Sequence, residues 1–176
     1  MPLEIEAKFK VDSHAPFAER LKTLGARHQE WLTQTDQFFD RTDRSLLAKD
    51  CGLRLRREKG QRTDRSQICF KGPRDQNTFK QREEIEFDVS DGHLARCLLE
   101  ALGFEATLIV EKKRSLWKLD QCLVCLDEVT ELGCFVEIEG ADEIQISSVA
   151  AKLGLGDHKH IPQSYVKMLA LKKNLR

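Results

Sequence analysis

The sequence has no excess of charge of either sign and no long apolar run. Lysine plus arginine and aspartate plus glutamate each number 29, so the formal net charge is zero. A balanced charge gives no long-range attraction to nucleic acid or to an anionic membrane, and any anion must be bound by a local cluster. No apolar stretch approaches the length of a membrane span, and the first residues show no signal-peptide pattern. We therefore expect a cytoplasmic protein that binds neither membrane nor nucleic acid.

The chain also lacks the short motifs that usually mark phosphate or zinc sites. Neither GxxxxGK nor GxGxxG occurs, so phosphate groups would have to be bound by side chains rather than by a glycine-rich loop. The six cysteines are scattered, and the spacing of Cys122 and Cys125 on a strand sends their thiols to opposite faces. No second Cys/His pair has zinc-ligand spacing. The cysteines are therefore expected to be free thiols.

The chain consists largely of segments in which polar and apolar residues alternate. Its 176 residues predict one domain, 1–176, with enough chain to bury a core. Alternation predicts strands at 3–11, 27–40, 52–58, 66–72, 80–89, 107–119, 122–129 and 134–140. Helices are predicted at 13–25, 90–102, 143–153 and 163–174, with Ser13 and Ser90 as N-caps, and 43–50 is a short helix or a loop. Consecutive strands with tight turns favour an antiparallel sheet with helices outside it, an α+β barrel-like fold.

Like charges repeat at a spacing of two along most of these strands. The pairs are Glu4/Glu6, Arg54/Arg56, Glu84/Glu86, Lys112/Arg114 and Glu137/Glu139. Residues two apart share a strand face, and neighbours of the same sign on one face are mildly destabilising. Each pair alone is typical of a solvent-exposed face. Because nearly every strand repeats the pattern with balanced signs, we interpret the sheet as closed, with its charged face pointing inward.

A charged interior of this kind implies ligands, because buried charges must be paired or bind a partner. Clustered carboxylates suit a hard cation such as Mg²⁺ or Mn²⁺. Clustered arginines and lysines suit a polyanion. The two together predict a metal-bound polyphosphate in one cavity.

The order of motifs along the whole chain resembles that of the CYTH superfamily, the triphosphate tunnel metalloenzymes. The matching stretches are Glu4-Ile-Glu-Ala-Lys8, Asp36-Gln-Phe-Phe-Asp40, Gly52-Leu-Arg-Leu-Arg56, Phe70-Lys-Gly72, Arg82-Glu-Glu-Ile-Glu86, Glu111-Lys-Lys-Arg114, Leu126-Asp127 and Leu132-Gly-Cys-Phe-Val-Glu137-Ile-Glu139. Three stretches, DQFFD, VEKKRSLW with LDEVTELGCFVEIE, and Ser164-Tyr-Val-Lys-Met-Leu169, are most similar to the class IV adenylyl cyclase-like branch. One departure is that positions 38 and 39 are both Phe, where relatives often have a Tyr.

The resemblance implies an eight-stranded antiparallel closed β-tunnel with helices packed outside, and divalent-metal chemistry on a triphosphate. The metal ligands that it implies are Glu4, Glu6, Glu137 and Glu139. The implied substrate-binding set is Lys8, Arg54, Arg56, Lys71, Arg82, Glu84, Glu86, Lys112 and Arg114. The implied catalytic set is Glu4, Glu6, Lys8 and Asp127.

The reaction stays open between alternatives that share these residues. The first is conversion of ATP to cyclic AMP and pyrophosphate; the second is hydrolysis of tripolyphosphate, thiamine triphosphate or a nucleoside triphosphate. A non-catalytic polyphosphate binder is the third, although the intact carboxylate set argues for catalysis. His158 and His160 lie either at the tunnel mouth or on the plain surface, and Tyr165 either hydrogen-bonds in the tunnel or packs the last helix. A homodimer is left open.

Overall fold

The computed structural model describes residues 3–73 and 80–174, without the side chains of residues 3, 4, 80 and 81. The strands are β1 (Leu3–Lys10), β2 (Arg27–Asp40), β3 (Gly52–Gly60), β4 (Asp64–Lys71), β5 (Lys80–Val89), β6 (Glu105–Leu119), β7 (Cys122–Val129) and β8 (Gly133–Gly140). The helices are α1 (Ala15–Thr23), α2 (Ser45–Ala48), α3 (Gly92–Ala101), α4 (Glu143–Lys152) and α5 (Tyr165–Lys172). The eight predicted strands are confirmed, and the segment 43–50 contains the short helix α2.

The strands form one closed barrel. They are hydrogen-bonded in the order β1-β5-β4-β3-β2-β6-β7-β8, and β8 pairs with β1 to complete the ring. Neighbouring strands are antiparallel all the way round. The predicted α+β class and the closed antiparallel sheet are therefore confirmed.

Two apolar clusters lie between the outer face of the barrel and the helices. The first joins outward residues of β1, β7 and β8, such as Ala7 and Ile138, to Leu21 of α1 and Ile146 of α4. The second joins Leu53, Leu55 and Phe39 to Ala95 and Leu99 of α3. Because side chains alternate along a strand, covering these apolar faces turns the charged faces toward the barrel interior.

Helix α5 departs from the expectation that the helices pack outside. Its Tyr165 and Leu169 form a third apolar cluster with Val110, Val129 and Phe135 of β6, β7 and β8. Val110 lies on the same strand face as Lys112 and Arg114, which is the face that turns inward. The last helix therefore covers part of the interior surface of the barrel.

The helix starts also differ from the predicted ones. Asp91, not Ser90, is the N-cap of α3, and its carboxylate accepts a hydrogen bond of 3.0 Å from the backbone N–H of Leu94. Helix α1 has His14 at its N-cap, without a capping bond from the side chain, so Ser13 is not the cap either. Both helices begin later in the chain than the serine signals predict. None of the helices in the described ranges has the length and apolar character that crossing a bilayer requires.

Candidate functional site

A cavity of about 610 Å³ lies inside the barrel, and its wall is strongly charged. The predicted basic residues all line it: Lys8, Arg54, Arg56, Lys71, Arg82, Lys112 and Arg114. The predicted acidic residues that line it are Glu6, Glu84, Glu86, Glu137 and Glu139. Glu4 lies in β1, and its side chain falls outside the described part of the structure.

The charged side chains are buried to a degree that is unusual for their types. Lys8 is 1% exposed, Glu6 is 6% exposed and Lys112 is 4% exposed. Glu86 is the least enclosed of the acidic set, with 39% of its side chain exposed. The interpretation that the charged faces point inward is therefore confirmed. Charges buried to this degree require oppositely charged partners.

On one wall, Asp36 of β2 holds two arginines of β3. Its carboxylate accepts two hydrogen bonds from Arg56, 2.6 Å from Nε and 2.7 Å from Nη2, and Arg54 Nη1 lies 3.8 Å away. Burial by itself would raise the pKa of Asp36, but the two guanidinium groups outweigh it and hold that pKa below its usual range. Arg54 also donates to Glu86 Oε2 at 2.9 Å. Both guanidinium groups are therefore held in place beside the cavity.

Asp127 of β7 has the equivalent role on the neighbouring part of the wall, since β6 pairs with β2 and β7 pairs with β6. It is fully buried and accepts hydrogen bonds from Arg114 Nε at 2.7 Å and from Lys112 Nζ at 3.2 Å. Arg114 also donates to Glu137 of β8. Burial lowers the pKa of Lys112, and the neighbouring Arg114 lowers it further. Asp127 thus lies behind the basic side chains and orients them, rather than forming the surface of the cavity.

Lys8 of β1 sits between two carboxylates. Its Nζ lies 3.2 Å from Glu137 Oε1 and 3.7 Å from Glu6 Oε1, and it donates to the backbone oxygen of Gln163 at 3.1 Å. Burial alone would lower the pKa of Lys8, but Glu137 and Glu6 outweigh burial and raise it. The lysine is therefore a fixed positive charge inside the cavity.

The start of α5 and the segment before it show where Tyr165 and the two histidines lie. The Tyr165 hydroxyl donates a hydrogen bond to Asp127 Oδ2 at 3.1 Å, and the ring packs against Phe135. The tyrosine therefore both forms a hydrogen bond inside the barrel and packs the last helix. His160 Nδ1 accepts a hydrogen bond of 3.2 Å from the backbone N–H of Lys8. His158 is exposed. His160 thus contacts the strand that carries Lys8, whereas His158 lies on the surface.

Strands β4 and β5 complete the wall. Lys71 is ion-paired with Glu84, whose carboxylate also lies 3.5 Å from the Cys69 thiol. Burial raises the pKa of Cys69 to about 12, so its thiol stays protonated. Arg82 Nη2 lies 3.6 Å from Asp50 Oδ2.

Two guanidinium groups, from β3 and β5, each keep a buried donor. The Nε atoms of Arg54 and Arg82 are buried and have no hydrogen-bond partner among the described residues. A buried donor without a partner is destabilising.

The two aspartates of the DQFFD stretch were not predicted as site residues. Asp36 and Asp40 are four apart on β2 and share the inward face. Asp36 organises the arginines, whereas Asp40 accepts backbone N–H bonds from Leu46 at 2.9 Å and Leu47 at 3.0 Å and so fixes α2 at the cavity. The alternation of side chains along residues 34–40 could have predicted that both aspartates lie on the inward face.

The carboxylates of β1 and β8 fit a divalent metal ion in their chemistry. Glu6 lies directly opposite Glu139 in the strand register, and Glu137 is opposite Lys8. Opposed carboxylates repel unless a cation lies between them, and oxygen donors are those that Mg²⁺ and Mn²⁺ prefer. Among the described side chains, no three His, Cys, Asp or Glu residues form a ready-made metal cluster. The fit of Glu6, Glu137 and Glu139 to such an ion lies in the chemistry of their oxygen donors, which now pair with Lys8 and Arg114. Glu4, on the same strand as Glu6, is a further candidate ligand.

Comparison with known proteins agrees with this architecture. The sequence model of the CYTH domain matches residues 2–165. A protein of Methanocaldococcus jannaschii named "putative adenylate cyclase" is 33% identical over 137 residues, which is 78% of this chain and 76% of that protein. The structure of a Pyrococcus horikoshii protein superposes with a TM-score of 0.82 at 27% identity, covering 96% of this chain and 99% of that one.

A more distant structure shares the fold alone. A Hippeastrum protein, whose description reports a dominant triphosphatase activity, has a TM-score of 0.69 at 14% identity, covering 99% of this chain and 96% of that one. An identity this low supports a common barrel and leaves the reaction of this chain to be argued from its own residues.

Proposed function

Since the chain belongs to the CYTH domain family, we propose that it is a divalent-metal-dependent enzyme that acts on triphosphates. We assign to it the cyclisation of ATP to cyclic AMP and pyrophosphate. The name of the Methanocaldococcus jannaschii relative supports the choice of cyclisation. The geometry of the cavity supports the choice of a triphosphate.

The observation that carries the proposal is the convergence of the basic side chains. Seven lysines and arginines from β1, β3, β4, β5 and β6 line one cavity. Burying so many cations is unfavourable unless anions accompany them. The carboxylates already present neutralise part of the charge, and a chain of phosphate groups would supply the remaining acceptors.

The residues of the chain would perform the binding and orientation. Arg54, Arg56, Lys112 and Arg114 hold the phosphate oxygens, while Asp36 and Asp127 fix these cations so that little reorganisation is needed during the reaction. Lys8 adds a further positive charge from β1, which neighbours none of the strands that carry those residues. Because these donors are already oriented toward the phosphates, they stabilise the negative charge that develops on the leaving pyrophosphate.

Glu6, Glu137 and Glu139, together with Glu4, would hold Mg²⁺ or Mn²⁺ in this cavity, where such an ion supplies charge neutralisation and acidifies a bound hydroxyl. In the cyclisation, the ribose 3′ oxygen forms a bond to the α-phosphorus. The bond from that phosphorus to the bridging oxygen breaks, and pyrophosphate leaves. The proton of the 3′ hydroxyl passes to solvent or to a carboxylate in the cavity.

Hydrolysis is the second candidate, because the charged wall binds phosphates without reference to the group they carry. If water takes the place of the ribose hydroxyl and attacks the terminal phosphorus, the products are orthophosphate and a diphosphate. The Hippeastrum protein shows that this fold can accommodate triphosphatase chemistry in another chain.

The test is to incubate the protein separately with ATP and with tripolyphosphate, in Mg²⁺ or Mn²⁺, and to identify products by chromatography. Cyclic AMP with pyrophosphate is the expected result. If orthophosphate forms without cyclic AMP, the protein is a hydrolase and the assignment of cyclisation is wrong. Binding without any product, from a panel that includes thiamine triphosphate, would instead indicate a polyphosphate-binding protein.

A further inference from the structure

A second cavity, of about 440 Å³, lies outside the barrel, between the start of α3 and the outer faces of β2, β3 and β4. Its volume is within the range of small-molecule sites, about 300–1,000 Å³. We call it the outer cavity, and the side chains that give it its chemical character are Thr35, Gln37, Arg57, Ser66, Ser90 and Arg96. None of these six residues lines the charged cavity inside the barrel.

The strand register places a cation between two hydroxyl groups on the outer face of the sheet. Arg57 of β3 lies opposite Thr35 of β2 on one side and opposite Ser66 of β4 on the other. Side chains directly opposite each other on one face have Cβ atoms about 4.5–5.5 Å apart. Because Asp36 and Arg56 point into the barrel, their neighbours Thr35 and Arg57 point out. The outer cavity therefore lies behind the Asp36–Arg56 ion pair, on the other side of the same two strands.

Helix α3 forms the facing wall of the outer cavity. Gly92, its first residue, packs so closely against β4 that a Cβ atom at this position would lie 2.7 Å from Ser66 Oγ. Arg96 is four residues further along the helix, on the same side, and lines the cavity as well. The contact between Gly92 and Ser66 therefore holds the helix that carries Arg96 against the sheet that carries Arg57.

The charges in the outer cavity favour an anion. Asp91 is the one acidic residue among the described residues that line it, and its carboxylate is already engaged as the N-cap of α3. Arg57 pairs with Asp64, which lies outside the lining. Arg96 pairs with Glu100, which lies outside it too. Because exposed ion pairs contribute little and a guanidinium group binds phosphate oxygens in a bidentate manner, a phosphate group can replace both partners.

The remainder of the lining suits a ligand that carries hydroxyl groups. Thr35, Ser66 and Ser90 have hydroxyls that both donate and accept hydrogen bonds, and the Gln37 amide does the same. Leu55, the one large apolar side chain that the described lining contains, is only 8% exposed. An apolar ligand would therefore gain little surface contact here, whereas a polyol would find several hydrogen-bond partners.

We propose that the outer cavity binds a small phosphorylated polyol, with Arg57 and Arg96 on its phosphate and the hydroxyl and amide side chains on its hydroxyl groups. This site is separate from the barrel interior, and the inference does not rest on the proposed function. A polyol without a phosphate leaves the two arginines unused, and inorganic phosphate leaves the hydroxyl side chains unused. Neither should therefore bind as tightly as the phosphorylated polyol.

The experiment follows the backbone amide signals of the isotopically labelled protein by nuclear magnetic resonance during titration with glycerol phosphate, inorganic phosphate or glycerol. The amides of Gly92 and His93 report on the outer cavity. Those of Lys112 and Glu137 report on the cavity inside the barrel. Binding outside the barrel is thus measured separately from binding inside it.

The variant that tests the inference is Arg57→Gln/Arg96→Gln, and the matched control is Lys59→Gln/Lys113→Gln. The control also removes two positive charges, from exposed lysines on the outer faces of β3 and β6 that do not line the outer cavity. Because all four side chains are exposed, both double variants are expected to fold, and the amide spectrum itself verifies this.

In the wild type, glycerol phosphate should shift the Gly92 and His93 signals at a lower concentration than inorganic phosphate does, and glycerol should leave them in place. The arginine variant should raise the dissociation constant at least about tenfold, because each lost guanidinium group removes hydrogen bonds to a charged ligand, while the control keeps the wild-type value. Equal dissociation constants for glycerol phosphate and inorganic phosphate would overturn the assignment of a polyol.

Three results would overturn the inference as a whole. The first is that the Gly92 and His93 signals do not move. The second is that the control variant loses as much affinity as the arginine variant. The third is that shifts are confined to signals such as Lys112 and Glu137, which would place the ligand inside the barrel and leave the proposed function standing.

Discussion

The hydroxyl of Tyr165 donates a hydrogen bond of 3.1 Å to Asp127 Oδ2 and so connects the last helix to a carboxylate in the wall of the barrel. The same carboxylate holds Arg114 and Lys112, and the ammonium groups of Lys8 and Lys112 lie 4.2 Å and 5.0 Å from the centre of the Tyr165 ring. One tyrosine therefore contacts both lysines and the acid that orients one of them. The position of α5 and the arrangement of the basic side chains are coupled through this residue.

Replacing Tyr165 by Phe should keep the ring contacts and remove only the hydroxyl. We expect the free energy of unfolding to fall by about 1–2 kcal/mol, because Asp127 keeps its bonds to Arg114 and Lys112. Denaturant unfolding measures this change. Met168→Leu, a volume-conserving change at a partly buried neighbour on the same helix, serves as the control. An unchanged stability in Tyr165→Phe would show that the hydroxyl contributes nothing to holding α5.

Lys112 and Lys113 are adjacent in the sequence and lie on opposite faces of β6. Lys112 is 4% exposed and lines the cavity, whereas Lys113 is exposed. Lys112→Met should weaken tripolyphosphate binding by a factor of about 10 to 100, since a hydrogen bond to a charged group is lost. Lys113→Met should bind as the wild type does.

Titration calorimetry at two salt concentrations checks this pair of variants. Screening weakens the attraction between the phosphates and the cavity, so raising the salt should lower the affinity of the wild type and of Lys113→Met alike. Equal losses of affinity in Lys112→Met and Lys113→Met would contradict the assignment of the inner face as the binding surface.

Asp36→Asn tests the ion pair with Arg56. The substitution leaves a buried guanidinium without its counter-charge, and the free energy of unfolding should fall by about 3–5 kcal/mol at neutral pH. Asp64→Asn is the control, because Asp64 pairs with Arg57 on the exposed outer face and such pairs contribute little.

The pH dependence gives a second measure of Asp36. A carboxyl group whose pKa is lower in the folded state stabilises the protein above its unfolded pKa, here 3.8, and loses that contribution as the pH falls toward the folded pKa. Below that value the wild type should therefore lose stability as the pH falls, and Asp36→Asn should show a flatter curve. Parallel curves for the two proteins would contradict the lowered pKa.

Much of the barrel could be predicted because each strand carries its own signal. Alternation in segments such as 82–89 fixes both the strand and the face that is charged. The repetition of like charges then identified the inward face, since no single pair such as Arg54 and Arg56 distinguishes a tunnel from a solvent-exposed sheet.

The position of α5 could not be predicted from the same kind of signal. The spacing of Tyr165 and Leu169 shows that the helix has an apolar side, but not which surface buries it. The apolar residues that border the charged cavity could not be predicted for a related reason. Leu47 and Leu171 are far apart in the sequence, and only the closed barrel brings them to one cavity.

Glu6→Gln tests the metal assignment with two independent measurements. The amide keeps the size of the side chain but removes the negative charge, so turnover of ATP or tripolyphosphate in Mn²⁺ should fall at least about 100-fold if Glu6 is a metal ligand. Mn²⁺ should raise the melting temperature of the wild type, because a ligand that binds only the folded state stabilises it. This shift should be smaller in Glu6→Gln.

Glu83→Gln is the matched control, since Glu83 is exposed and lies in β5 between two residues that line the cavity. Normal turnover together with a normal Mn²⁺ shift in Glu6→Gln would remove Glu6 from the metal site, whereas a loss of turnover with the full shift would make it a substrate-positioning residue instead.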